Sequence, residues 1–192
     1  RDNYHCVLLA KNYDGFLELN SLVSKSFCRT DNHFYYDPRI TFNELFATSD
    51  NIIITTACVG GVLGKGDEQV QQYYLDFLER NKHRCFLEVG HHMDEKQVNY
   101  NEKLLLLSKS TGVLLIAGTD THVLNAEHEK GRSILQASKN ITFDGEERWD
   151  LKFKTYDELV AAYREQGSLP EAEYMQAIEN TNVMADMVEP FE

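Results

Sequence analysis

An aspartate and a histidine, two residues apart, follow an apolar run in the second half of the sequence. The run 113–117 predicts a buried strand, and Asp120 and His122 come just after it, within IAGTDTHVL. Alternate residues of an extended chain point to the same side, so the carboxylate and the imidazole should project together. Such a pair suits a divalent transition metal, with Gly118 and Thr121 leaving room for ions. The alternative is an aspartate that caps the next helix beside a surface histidine.

Two further residues of the metal-ligating type stand at the ends of other predicted strands. Cys58 ends the β-branched run NIIITTACVGG, and His5 comes directly before the apolar run CVLLA. Taken singly, a buried cysteine is more often a small apolar side chain, and a lone histidine is more often a polar cap. Each residue alone is therefore a weak signal of a site.

Adjacent histidines, His91 and His92, follow a third strand-like run, CFLEV at 85–89. A solvated loop is the simpler interpretation of the pair, and the alternative is that they face the same edge as the other candidates. The carboxyl ends of parallel strands meet at one edge of an α/β sheet or barrel, where such folds keep their active sites. Residues that follow several strands are therefore expected to meet there.

The elements that must position these residues alternate between strand and helix. Strands are predicted at 6–10, 51–61, 85–89 and 113–119, with helices from about 16 to 27, 70 to 78, 98 to 112 and 125 to 139. This alternation predicts parallel pairing through right-handed crossovers, hence an α/β sheet or barrel.

Two capping boxes mark the C-terminal part of the chain. Thr155 with Glu158 and Ser168 with Glu171 each predict the start of a helix, the second reaching about Val188. These helices are expected to pack outside the sheet. The 192 residues suit a single domain, in which 1–139 form the strand-helix units and 140–192 an extended segment with helices.

Composition limits the partners of this chain. The formal net charge is −12, from 31 acidic and 19 basic residues without a basic cluster, which makes the chain alone a poor nucleic-acid binder. The four cysteines form no CxxC pair, so neither a disulfide framework nor a cysteine-zinc knuckle is expected. A cytoplasmic location is expected instead. No apolar run is long enough to span a membrane.

Several stretches taken together resemble a known family. YHCVLLAKNYDGFLELNSLVSKSF (4–27), IIITTACVGG (52–61), FLEVGHHMDEKQVNYN (86–101) and GTDTH (118–122) occur in the order and spacing typical of the PHP domains of bacterial DNA polymerase III alpha subunits. The resemblance continues through FKTYDELVAAY to AIENTNVMADMVE (177–189), so it covers nearly the whole chain.

The resemblance implies a fold and a metal chemistry. PHP domains are distorted (β/α)7 barrels that, in metal-competent members, bind three ions through about nine ligands and hydrolyse phosphoesters. His5, Cys58, Asp120 and His122 match family ligands, with Zn or Mn as the implied metal. The family also has a histidine near His92, which makes His92 a further candidate ligand. The family's other ligands have no counterpart among these 192 residues. Weak or absent metal is therefore expected, with His5 and Cys58 the pair most able to retain an ion.

Three functions are consistent with this resemblance. The chain is expected to be a fragment of a replicative polymerase whose intact PHP domain hydrolyses phosphoesters, or a non-catalytic scaffold element of that polymerase. A stand-alone phosphatase of the histidinol-phosphate type is the third alternative, and the polymerase-like C-terminal helices argue against it. The implied partners are DNA, which is reached through the parent polymerase, the other domains of that polymerase, and replisome subunits. An incomplete barrel would also leave an unpaired apolar sheet edge, which predicts either a homodimer or a rearranged edge.

Overall fold

The strand-helix alternation is confirmed in the computed structural model, which describes residues 3–29, 33–34, 36–143, 146 and 149–190. The elements in chain order are β1 (Val7–Ala10), α1 (Tyr13–Ser26), α2 (Phe42–Phe46), β2 (Ile52–Thr55), α3 (Val62–Lys65), α4 (Glu68–Arg80), β3 (Cys85–Val89), α5 (Glu95–Thr111), β4 (Leu114–Ala117), α6 (Ala126–Ser138), α7 (Tyr156–Gln166) and α8 (Glu171–Ala185). The short helices α2 and α3 were not predicted. The predicted second strand shrinks to four residues, because the chain turns away before Cys58.

The described strands form one open sheet in the order β1-β2-β3-β4. The pairs β2–β3 and β3–β4 are parallel, as expected, but β1 pairs with β2 in the antiparallel direction, so the expectation of parallel pairing throughout is wrong for the first strand. The exit of β1 is tied to the entry of β2: the Lys11 N–H donates to the Asn51 carbonyl oxygen, and the Asn12 amide donates to the Asn51 side chain. Only antiparallel strands can share an end in this way.

Side-chain caps define most of the helix starts. Asn12, Asp67, Asp94 and Asn125 each accept a hydrogen bond from a backbone N–H in the first turn of their helix. The predicted left-handed helix end at Gly112 is confirmed, with φ of 74°.

The two predicted capping boxes have different outcomes. The box of Thr155 and Glu158 is confirmed. The box of Ser168 and Glu171 is wrong, because Pro170 occupies the N-cap position and the Ser168 hydroxyl donates to the Gln166 side chain instead.

The main hydrophobic core lies on one face of the sheet, where α4, α5, α7 and α8 cover it. Its buried members include Ile54, Leu78, Leu87, Leu104 and Tyr163. This arrangement confirms that the two C-terminal helices pack outside the sheet.

The C-terminal helix α8 also protects the edge of the sheet at β4. The Asn180 amide donates to the Leu115 carbonyl oxygen over 2.7 Å, which satisfies a backbone group that an edge strand would otherwise leave unpaired. Met184 and Met187 then reach the opposite face of the sheet and pack against Ile53 and Phe86.

The extended signals between α6 and α7 correspond to a short pairing with the end of the fourth unit. Lys152 bridges to Val123 in parallel, and the Phe153 N–H donates to the Val123 carbonyl oxygen. In the part of the chain that the structure describes, no helix combines the length and the apolar character needed to cross a membrane.

Candidate functional site at the carboxyl ends of the strands

The candidate ligands all reach the same edge of the sheet. Cys58, His92 and Asp120 follow the parallel strands β2, β3 and β4, and so lie at their carboxyl ends. His5 precedes β1, and because β1 is antiparallel its amino end lies at that same edge. The reversed first strand therefore brings His5 to the site.

His5 and Cys58 form a direct pair. The Cys58 sulfur lies 3.5 Å from His5 Nδ1, and the Gly60 N–H donates to the same sulfur over 3.4 Å. A Cβ at position 60 would lie 3.1 Å from His5 Nδ1, so glycine permits this close approach. Cys58 is half-buried and His5 is exposed. A thiol beside an imidazole offers two of the ligands that zinc prefers.

Asp120 is the centre of a second group. Its Oδ2 lies 3.0 Å from His92 Nε2, and its Oδ1 lies 3.1 Å from His122 Nε2. The hydrogen bond with His92 is the main reason that the pKa of Asp120 is lowered, and His122 adds to it against the opposing effect of burial. Asp120 has a left-handed backbone with φ of 44°, a conformation that residues other than glycine seldom adopt and that often marks functional positions.

The structure fixes which nitrogen of His92 carries the proton. The Asp150 N–H donates to His92 Nδ1 over 3.2 Å, so in the neutral ring Nε2 holds the hydrogen and donates it to Asp120. His92 is 7% exposed and His91 is 2% exposed, so the interpretation of this pair as a solvated loop is wrong. The His92 ring is covered by Trp149 and Asp150, and the His91 ring packs between His92 and Tyr163.

His91 occupies the more unusual environment of the two. Its ring packs edge-on against Tyr163, and neither ring nitrogen makes a well-formed hydrogen bond to the described residues. Burial lowers the pKa of His91 to about 4, and the neighbouring His92 contributes to the shift. His91 is therefore neutral near pH 7.

A buried amide network holds the loop that carries the two histidines. Asn101 is fully buried; its side-chain oxygen accepts the Gly90 N–H, and its amide donates to the Gly90 carbonyl oxygen. Gln166 donates to the carbonyl oxygens of Gly90 and His92. Residues on α5 and α7 thus position His92, and through it the carboxylate of Asp120.

Glu88 is a site residue that the sequence reasoning did not select. It lies on β3 between the two groups, accepts a hydrogen bond from the Thr55 hydroxyl over 2.6 Å, and has a pKa raised mainly by burial. A Cβ at Gly118 would lie 2.5 Å from Glu88 Oε1. The space at Gly118 that was expected to accommodate ions is therefore filled by the Glu88 carboxylate. The signal available in the sequence was an acid within the otherwise apolar run 85–89.

The structure brings the candidate ligands to one edge, but in two separate groups. Cys58 follows β2 and Asp120 follows β4, with β3 between them, and two strand spacings amount to about 10 Å. Within the ranges that the structure describes, no three His, Cys, Asp or Glu side chains are arranged to hold one metal ion. The donor set therefore fits two incomplete half-sites rather than a complete metal centre.

Comparison with known proteins gives the family context of this arrangement. The PHP domain family matches residues 1–92. The DNA polymerase III subunit alpha of Borreliella burgdorferi is 31% identical over 198 residues, which cover 98% of this chain and 16% of that protein. The PolC-type DNA polymerase III of Thermotoga maritima is 27% identical, with 97% of this chain and 14% of that protein covered. The subunit alpha of Thermus aquaticus is also 27% identical, with coverages of 96% and 15%. The chain spans about one sixth of the length of these relatives or less.

Proposed function

We propose that this chain, whose residues 1–92 match the PHP domain family, is a PHP-domain segment of a bacterial replicative DNA polymerase III alpha subunit. The observation that carries the proposal is similarity to such subunits over 98% of the chain, beyond the family match and through the C-terminal helices. The open sheet then forms part of a distorted (β/α)7 barrel. In such a segment the parent protein, rather than this chain, performs nucleotidyl transfer.

The chain's own role in this proposal is structural. A tight zinc or manganese site normally needs three or more protein ligands. Each of the two groups contains fewer than three of the four residues that match family ligands. The pair of His5 and Cys58 supplies two, and Asp120 with His122 supplies two. His92 is occupied by hydrogen bonds on both ring nitrogens. No hydrolytic step is therefore assigned to this chain, which we propose acts as a scaffold element of the polymerase.

The negative charge of the chain supports a structural role, with DNA held by other domains. With a formal net charge of −12, the chain needs other polymerase domains to supply the positive surface that holds DNA. We infer that DNA is reached through the parent protein, that the direct partners are its other domains and replisome subunits, and that the location is cytoplasmic.

The coding region on both sides of this segment tests the proposal most simply. One reading frame that continues into a polymerase palm with its set of catalytic carboxylates is the expected result. A frame without polymerase sequence would contradict the proposal and favour a stand-alone phosphatase.

Hydrolysis assays separate a scaffold from a catalytic segment. The chain is incubated with an aryl phosphate and with a 3′-mismatched DNA primer, over a series of manganese and zinc concentrations, beside Asp120→Ala. The scaffold role predicts no turnover by either protein. Turnover that is lost in Asp120→Ala would show instead that the half-sites support chemistry.

A further inference from the structure

The segment between α1 and α2 carries aromatic side chains that the fold leaves exposed. Phe27 is 58% exposed and Tyr36 is 84% exposed. Phe34 stacks against Phe27, with ring centroids 5.9 Å apart, and the Arg29 guanidinium lies over the Phe34 ring at 5.3 Å from its centroid. We call these four residues the aromatic-arginine cluster. The structural role proposed above makes no use of them.

Tyr36 lies at the tip of a short hairpin in a strained backbone conformation. Phe34 and Pro38 pair across the hairpin as an antiparallel bridge, and the Arg39 N–H donates to the His33 carbonyl oxygen over 3.1 Å. Between them Tyr36 has a φ of 92°, a positive value that a tyrosine seldom adopts. Such strain persists where neighbouring contacts enforce it, and it is concentrated at functional positions. A tyrosine strained for the sake of packing would be covered, whereas this one projects into solvent.

Contacts at the base of the hairpin hold it in place. His33 is 6% exposed, and its Nε2 lies 2.8 Å from Glu44 Oε1 on α2. Lys25 on α1 pairs with the same carboxylate, so the charge of Glu44 is compensated. The Arg39 guanidinium donates to the Asn3 side chain. The tip is therefore presented to solvent by a fixed support.

Arg29 supplies a positive charge beside the rings. It is exposed, and among the residues that the structure describes its guanidinium contacts the Phe34 ring but makes no hydrogen bond or ion pair. Asp37, next to Tyr36, is the exposed acid of the hairpin. Residues 25–39 contain three basic and two acidic residues, whereas the whole chain contains 19 and 31. This segment therefore repels a phosphate less than the rest of the chain does.

We propose that the aromatic-arginine cluster binds single-stranded nucleic acid, with one base against Tyr36, a second against Phe27 and the intervening phosphate at Arg29. Every base has a flat face that stacks on an aromatic ring, so such a site accepts any sequence. A guanidinium with unpaired N–H groups suits the phosphate oxygens. The site adds a ligand that the scaffold role does not include, and only the choice of DNA as the natural strand rests on the proposed function.

The charge of the chain predicts weak binding. The formal net charge of −12 repels a polyanion, and one arginine neutralises one phosphate. We expect a dissociation constant on the order of 0.1–1 mM at low salt, at the weak end of nonspecific DNA binding or beyond it. With one phosphate contact, the logarithm of the binding constant should fall against the logarithm of the salt concentration with a slope of only about −0.7.

Nuclear magnetic resonance titration of the chain with a six-nucleotide oligothymidylate tests the proposal. Amide shifts should change within 27–39, and Tyr36→Ala and Phe27→Ala should each weaken binding by about fivefold or more. Tyr156→Ala and Phe153→Ala are the matched controls, because these rings are 50% and 57% exposed elsewhere on the chain, and they should leave the affinity unchanged. An oligouridylate of the same length compares RNA with DNA, and a response to either strand supports the site.

Two further substitutions separate ligand binding from a structural role. Arg29→Gln should weaken binding and remove most of its salt dependence. Tyr36→Gly relieves the strained backbone, because glycine adopts a positive φ readily. Its midpoint of thermal unfolding should therefore be no lower than that of the unaltered chain, although it should bind as weakly as Tyr36→Ala.

Four results would overturn the proposal. Shifts outside 27–39 alone, or an equal loss of affinity in Tyr156→Ala and Phe153→Ala, would place binding elsewhere. Equal binding of a DNA duplex would exclude stacking on unpaired bases as the cause. A lower thermal midpoint in Tyr36→Gly would show that the ring packs against the fold. No response to either strand would leave the exposed rings to a protein partner, and the test by the surrounding reading frame would be unaffected.

Discussion

The buried amide of Asn101 should determine both the stability of the chain and the order of the site. Its side-chain oxygen accepts hydrogen bonds from the Gly90 N–H and the Gln97 amide. Its amide nitrogen lies 2.7 Å from the Gly90 carbonyl oxygen and 2.9 Å from acceptors on Gln166 and Ser168. The change Asn101→Ala removes all of these contacts at once.

The expected loss follows from the groups left without partners. The Gly90 carbonyl oxygen keeps the hydrogen bond from Gln166. The Gln97 amide loses its acceptor in a buried place, and the Gly90 N–H loses its acceptor in a half-buried one. A fully buried unsatisfied group costs about 1–3 kcal/mol and a half-buried one costs less, so the free energy of unfolding should fall by about 2–4 kcal/mol. For a chain of this size the midpoint of thermal unfolding should fall by about 5–15 °C.

Urea unfolding followed by circular dichroism measures this loss. Asn99→Ala is the matched control, because Asn99 is exposed on the same helix, and it should change the free energy of unfolding by less than about 0.5 kcal/mol. A loss of less than about 1 kcal/mol for Asn101→Ala would refute the reasoning, since it would mean that the loop before His92 is held by other contacts.

Three further changes have defined outcomes in unfolding measurements. Burial raises the pKa of Glu44, but hydrogen bonds from Lys25, the Thr41 backbone and His33 outweigh it and lower the pKa to about 2. Glu44→Gln should therefore lower the free energy of unfolding by about 1–2 kcal/mol at pH 7, after allowance for solvent screening. This loss should shrink as the pH falls from about 5 to 2, and a loss independent of pH would contradict the role of the Glu44 carboxylate. Gly118→Ala should lower the free energy of unfolding by about 1–3 kcal/mol, because the new Cβ collides with Glu88. An equal loss when Gly118→Ala is made in a Glu88→Ala background would exclude that cause. His91→Phe should keep or raise stability at pH 7, and should remove the decline expected of the native chain between about pH 6.5 and 4; a clear loss at pH 7 would reveal a partner for the imidazole.

Local patterns predicted the helices and strands well. The caps and the helix end at Gly112 are properties of a few neighbouring residues, so the sequence contains them directly. The direction of β1 is different, because it depends on the contact between Asn12 and Asn51, which are 39 residues apart. The capping box at Ser168 failed for a local reason instead, because Pro170 occupies the N-cap position.

The meeting of the candidate residues at one edge of the sheet was predictable from the sequence, and their division into two groups was not. Pairing of Asp120 with His122 follows from alternation along the chain, and the place of Cys58 at the same edge follows from parallel strands. The burial of His92 and the role of Glu88 required the positions of other elements. The separation into two groups depends on strand order, which short-range sequence patterns do not determine.

Titration of the chain with cobalt(II) tests whether the candidate ligands form two separate half-sites, because a cysteine thiolate bound to cobalt gives a charge-transfer absorption. Two separate half-sites predict weak binding, well short of the about 10–16 kcal/mol of complete structural zinc sites. The thiolate signal should be lost in Cys58→Ser and retained in Asp120→Ala. Tight binding that both substitutions abolish would contradict two separate half-sites, because it would mean that the two groups close around a single ion.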